Sequence, residues 1–177
     1  MISATVILIL TILISYLGLK SDLVKYSLCL WPYKLLHIWR PFTYSFVHNS
    51  LSHLINNLIM YSIGFFGFFG KFSSTDFLVF YFSSGFISIL PFLLLNFNKK
   101  ITLSGNSGIT FSIFYAFIAS NSKHILFSFF GYHFPVYFIG IVFFVLSLVN
   151  WKTNSNVSLL THITGALFGI FYSIFYL

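Results

Sequence analysis

The chain has 177 residues, of which 58% are hydrophobic, 23% aromatic and only 6% charged. A soluble domain carries about 45 to 50% apolar residues, so this composition describes an integral membrane protein and excludes a water-soluble enzyme. The net charge of +7 comes from nine Lys and Arg set near the ends of apolar stretches, where long basic side chains reach lipid headgroups; it is not the footprint of a nucleic-acid binder.

In chain order the apolar stretches run over residues 2–19, 51–70, 77–97, 107–120, 125–149 and 157–177. Most are close to the ~20 residues that cross a bilayer as a helix. The reading is an all-α polytopic membrane protein: six transmembrane helices, short connections, and a single domain over residues 1–177. The first stretch lacks a basic leader and an A-x-A cleavage site, which favours a retained helix over a signal peptide. The lone Cys29 has no second cysteine to pair with. With both termini in the cytoplasm, Lys71 and Lys123 lie inside while Lys20, Lys25, Lys34, Arg40, Lys99, Lys100 and Lys152 lie outside. That runs against the positive-inside bias, so charge alone favours the inverse orientation.

The second stretch opens with "HNSLSHLINN", which sets His53 and Asn57 four residues apart on one helix face. Polar groups at such positions are expensive and mark function. As two donors aimed at one point they suit an oxyanion, together with a backbone N–H at a helix N-terminus; the alternative is polar glue between helices. His48 precedes them and reads as a support. His37, His124 and His133 read as interfacial.

The fourth stretch starts in "SGNSG", with Ser107 between glycines. Gly108, Ser112, Ala116 and Ser120 then recur every four residues, a small-residue stripe that lets another backbone come close. The stretch makes about 14 residues, or roughly 21 Å against a hydrocarbon core of roughly 30 Å, so its start is expected below the membrane surface. The loop before it then brings non-helical backbone to membrane depth, which requires burial in protein or a watery cavity.

The last stretch offers the complement. In "THITGALFG", His162, Gly165 and Gly169 share one face, and packing stripe on stripe brings His162 toward Ser107. Asp22 and Asp76 are the only carboxylates and fall outside the spans. An aspartyl protease therefore lacks its pair, an HExxH zinc protease lacks its glutamate, and a Ser-His-Asp triad has no acid at that depth. If the pair reacts it does so as a Ser-His dyad; the plain alternative is a packing turn at Ser107 and a His162 that bonds a neighbouring carbonyl.

Trp39-Arg40 with Thr43, then His48, His53 and Asn57, then Gly105-Asn106-Ser107-Gly108, and finally His162 with Gly165 and Gly169 resemble, in order, the rhomboid intramembrane serine proteases. The resemblance implies a six-helix bundle with Ser107 as nucleophile and His162 as general base. It implies His53, Asn57 and the Ser107 amide around the oxyanion, Gly105 shaping the turn, and Trp39-Arg40 in an interfacial first loop. It implies no cofactor, a site opening away from the cytoplasm, and, as substrates, transmembrane helices that unwind near one end beside a small residue. One departure is "GFFGKFSS", with Lys71 where members often carry an acid. Two other classes remain: a non-proteolytic rhomboid-like binder of membrane clients, and a haem-binding bundle with His53 and His162 as axial ligands.

Overall fold

The first helix shows how this chain sorts its surfaces. In α1 (Ile2–Lys20) the buried residues are Ala4, Ile7, Thr11, Ser15 and Gly18, a mostly small stripe at intervals of three and four, while Ile9, Leu10, Leu13 and Leu17 point outward. Small residues inside and bulky ones outside is the arrangement of helices that pack in lipid, where close backbone approach replaces the hydrophobic drive.

The computed structural model describes residues 2–34, 36–67, 72–122, 124–153 and 159–176. After α1 come α2 (Asp22–Leu28), a 3₁₀ turn at Pro32–Lys34, α3 (Arg40–Thr43) and a second 3₁₀ turn at Tyr44–Phe46. Then follow α4 (Leu51–Gly67), α5 (Ser74–Asn96), α6 (Ser107–Ser120), the strands β1 (Ile125–Phe129) and β2 (Tyr132–Pro135), α7 (Val136–Thr153) and α8 (Leu159–Tyr176). By length and hydropathy α1, α5 and α8 can each cross a bilayer, and α6 and the first part of α7 are shorter apolar helices. Lys71, Lys123 and the start of the last stretch at residue 157 lie outside the described residues.

The fifth apolar stretch departs from expectation. Its first eleven residues are not helix but an antiparallel hairpin, with Phe129 opposite Tyr132 and Ser128 opposite His133. The turn between is Phe130-Gly131, both at positive φ, 48° and 80°, as a two-residue turn matched to strand twist requires. Phe is a poor residue for that conformation, and the usual Asn-Gly or Asp-Gly signal is missing, which is why periodicity reads the segment as span.

The connection after α2 is held by side chains capping its C-terminus. Trp31 Nε1 and Arg40 Nη1 donate to the Tyr26 carbonyl, Trp39 Nε1 to Ser27, Thr43 Oγ1 to Leu28, and Arg40 Nη1 also to Cys29. Carbonyls left over at a helix end need partners, and here the first loop supplies all of them. Arg40 is therefore buried, whereas Trp39 stays half exposed. Cys29 sits inside this knot, and burial pushes its thiol up to about 11. Leu30 then pairs with Leu103 through two backbone hydrogen bonds of 2.9 Å, and Gly105 N donates to Tyr44 O at 3.0 Å. The last non-helical residues before α6, 103–106, are thus buried in protein, as depth demands.

At the centre, α6 lies against α8 with glycine on backbone. A Cβ added at Gly165 would run into the Gly108 carbonyl, and one at Gly169 into the Ser112 carbonyl. Ser112 Oγ donates to Gly165 O at 2.8 Å, and Ser120 Oγ meets Ser173 Oγ at 2.8 Å. A methyl at Gly165 has no flexible side chain to displace, so the helices must part. We expect Gly165→Ala to cost roughly 1–3 kcal/mol, seen as a lower thermal midpoint in detergent, while Leu167→Ala on the outward face of α8 changes it little. Equal midpoints would contradict the contact.

Candidate active site

Ser107 opens α6 at its N-terminus. Between residues 103 and 114 every residue but Ser107 is buried, so this one side chain has access to the outside of an otherwise closed segment. The helix has no side-chain cap, because the Asn106 amide turns to His48 instead. The first N–H groups of α6 are left unpaired by a side chain, with the positive end of the helix dipole behind them.

Four residues on, Phe111 shares the Ser107 face of α6. Its ring is stacked on His162 of α8, with centroids 4.4 Å apart and planes 8° from parallel. Beside Gly108 runs the backbone of Thr161, whose carbonyl lies 3.2 Å from where a Gly108 Cβ would be. The two small stripes so bring His162 to the first turn of α6. Among the described residues no hydrogen bond joins Ser107 Oγ to His162; such bonds are often long without substrate. His162 Nδ1 bonds instead to Ser147 Oγ of α7, at 2.6 Å.

On the other side of Ser107 stands His53 of α4. It meets His48 edge to face at 5.0 Å, and its Cε1 lies 2.6 Å from where a Cβ of Gly105 would be. Gly105 has φ +98°, so both the turn and the approach of His53 call for glycine. Asn57 is buried beneath, where its Nδ2 donates to His48 Nε2 at 3.0 Å and its Oδ1 faces Thr110 Oγ1 at 3.5 Å. His53 thus borders the turn at Gly105, while one of the two Asn57 amide hydrogens is committed to His48.

His48 is more than a support at the edge. It is fully buried, and its Nδ1 lies 2.7 Å from Ser15 Oγ, which itself donates to Phe46 O. The Ser15 hydroxyl must therefore accept from Nδ1–H, leaving a lone pair on Nε2 that accepts from Asn57. The Asn106 amide lies beside the same Nε2, at 3.1 Å. The network locks α1, α4 and the Asn106-Ser107 turn together.

A family model described as Rhomboid domain matches residues 36–177, from the loop before Trp39 to the end of the chain. The chain belongs to the rhomboid family. As a rhomboid protein it is a multi-pass integral membrane protein with a helical bundle fold, of a family that acts on membrane proteins within the bilayer. Comparison with curated proteins gives no match.

Ser147, Phe111 and Ser15 are site neighbours the sequence reading passed over. Ser147 had a visible signal, a lone hydroxyl in "IVFFVLSLVNW", since a polar group in an apolar helix has to find a partner. Phe111 could have been read from its i+4 spacing to Ser107. Gly105 and Gly131 make a direct comparison, because both have positive φ but nothing lies within 4 Å of a Gly131 Cβ. Gly105→Ala is expected to destabilise more than Gly131→Ala, which bears only the ~1–2 kcal/mol of left-handed strain. Thermal melting of the two variants in detergent checks this, and an equal loss would contradict the close approach of His53.

Proposed function

We propose that this rhomboid protein is an intramembrane serine endopeptidase, all six of its longer helices crossing the bilayer. The observation that carries the reading is the Ser107–Phe111 face of α6: an accessible serine at an uncapped helix N-terminus, one turn from the ring stacked on His162. Ser107 is the nucleophile and His162 the general base. Neutral His162 takes the Ser107 proton as Oγ attacks a peptide carbonyl, an acyl-enzyme forms as the amine leaves with that proton, and water releases the acid.

The tetrahedral oxyanion falls to the Ser107 N–H, His53 and the uncommitted amide hydrogen of Asn57. A helix N-terminus without a side-chain cap favours developing negative charge there. No cofactor takes part. The substrates are transmembrane segments that unwind near one end, so that a bond beside a small residue can reach Ser107. Gly108, Gly165 and Gly169 hold the two catalytic helices in contact, Gly105 and His48 shape the turn, and Trp39-Arg40 fasten the first loop. The site opens away from the cytoplasm.

A client-binding protein without protease activity is the second reading. It is favoured by the missing Ser107–His162 hydrogen bond and by the engagement of Asn57 with His48. Cleavage of a model transmembrane substrate in liposomes separates the two. Ser107→Ala and His162→Ala are each expected to abolish cleavage while leaving the protein folded in detergent, and full activity in either variant would refute the dyad. Asn57→Ala is expected to slow cleavage by roughly 10²–10³ without abolishing it, because other donors remain. Wild-type rates in both Asn57→Ala and His53→Ala would reduce that pair to packing.

A further inference from the structure

Several buried hydroxyls in these helices bond back to their own helix: Thr11 Oγ1 to Ile7 O, Ser84 Oγ to Tyr81 O, Ser88 Oγ to Gly85 O. This is the usual resort of a hydroxyl in apolar surroundings. Ser147 differs. It is buried in α7 and the bond described for it crosses to another helix, at 2.6 Å from His162 Nδ1. We infer that Ser147 is a positioning residue for the His162 base, in the role a carboxylate takes in a soluble triad; the inference rests on the dyad reading above.

The geometry gives it that task. Phe111 fixes the plane of the imidazole by stacking, but stacking is blind to a half-turn of the ring that exchanges nitrogen for carbon. The hydroxyl at Nδ1 selects one of the two. When Nδ1–H donates to Ser147 Oγ, the neutral ring carries its lone pair on Nε2, the nitrogen left to meet Ser107. Ser107 then gives its proton to Nε2 while its oxygen forms the bond to the substrate carbonyl. The proton on Nδ1 stays where it is, and as the ring becomes cationic its bond to Ser147 strengthens. A buried carboxylate in the same place would add a charge that the dry interior penalises; a hydroxyl orients without it. The anchor comes from α7, whose ties to α6 include Tyr115 Oη to Gly140 O at 2.7 Å and Phe143 against Phe114 at 5.3 Å, so the base is aimed only while α7 is seated.

The test uses the whole protein in liposomes, with single-turnover cleavage of a transmembrane substrate and with Ser147→Ala, Ser147→Thr and Ser147→Val. Ala and Val are expected to lower kcat roughly 10- to 100-fold, the effect of losing a hydrogen bond to a charged group, with KM unchanged. Thr, which keeps the hydroxyl and matches Val in shape, is expected to retain most of the rate. Equal rates for Thr and Val at equal melting temperature would overturn the role, as would a rise in KM with kcat unchanged. Nitrogen NMR of His162 in the wild-type protein decides even if a variant fails to fold: the proton is expected on Nδ1, and a ring protonated at Nε2 alone would sink the inference. Ser107→Ala in the same assay keeps the two readings apart. Cleavage by that variant defeats the dyad itself, whereas an inactive Ser107→Ala beside a fully active Ser147→Val defeats only the positioning role.

Discussion

The structure depends on the contact of two backbones. Gly165 and Gly169 of α8 lie on the carbonyls of Gly108 and Ser112 of α6, with no room for a single carbon between them. In lipid, helices gain little from apolar burial alone, so such close approach is what van der Waals packing and interhelical hydrogen bonds can use. The contact decides where His162 stands relative to Ser107. It also draws the short α6 into the middle of the bundle, with residues 103–106 buried just before it.

That burial creates a polar problem, which the remaining elements solve for all but the Ser104 hydroxyl. A loop at membrane depth must have its backbone and side chains satisfied by protein. Leu30 and Tyr44 take its backbone, and His48 gathers Asn106, Asn57 and Ser15. The first loop can do this because Trp31, Trp39, Arg40 and Thr43 tie it to the end of α2. Each layer of polar contacts holds the next, from the interface inward to the serine.

Much of this was legible from the sequence, and for physical reasons. Ser and Gly every four residues in the fourth stretch, with Gly165 and Gly169 in the last, announce a close helix pair because small residues there have few other uses. Long apolar runs fix α1, α5 and α8 to within a few residues. The hairpin at Ile125–Phe129 and Tyr132–Pro135 was not legible, since all-apolar segments carry no period to separate strand from helix and the Phe130-Gly131 turn lacks a polar residue. The roles within the site were legible only in part. Spacing sets His53 and Asn57 on one face but cannot show that Asn57 spends a hydrogen bond on His48. Nor can it show that a hydroxyl on α7, rather than the neighbourhood of Gly165 alone, meets His162.

The account's central claim is that Ser107 is an activated nucleophile, and covalent labelling tests it most directly. The wild-type protein in liposomes, treated with a fluorophosphonate and digested for mass spectrometry, should carry the adduct on Ser107. The same treatment of a folded His162→Ala variant should leave Ser107 unmodified. A wild-type protein that cleaves a transmembrane substrate without taking up the probe at Ser107, or that labels there equally without His162, would contradict it.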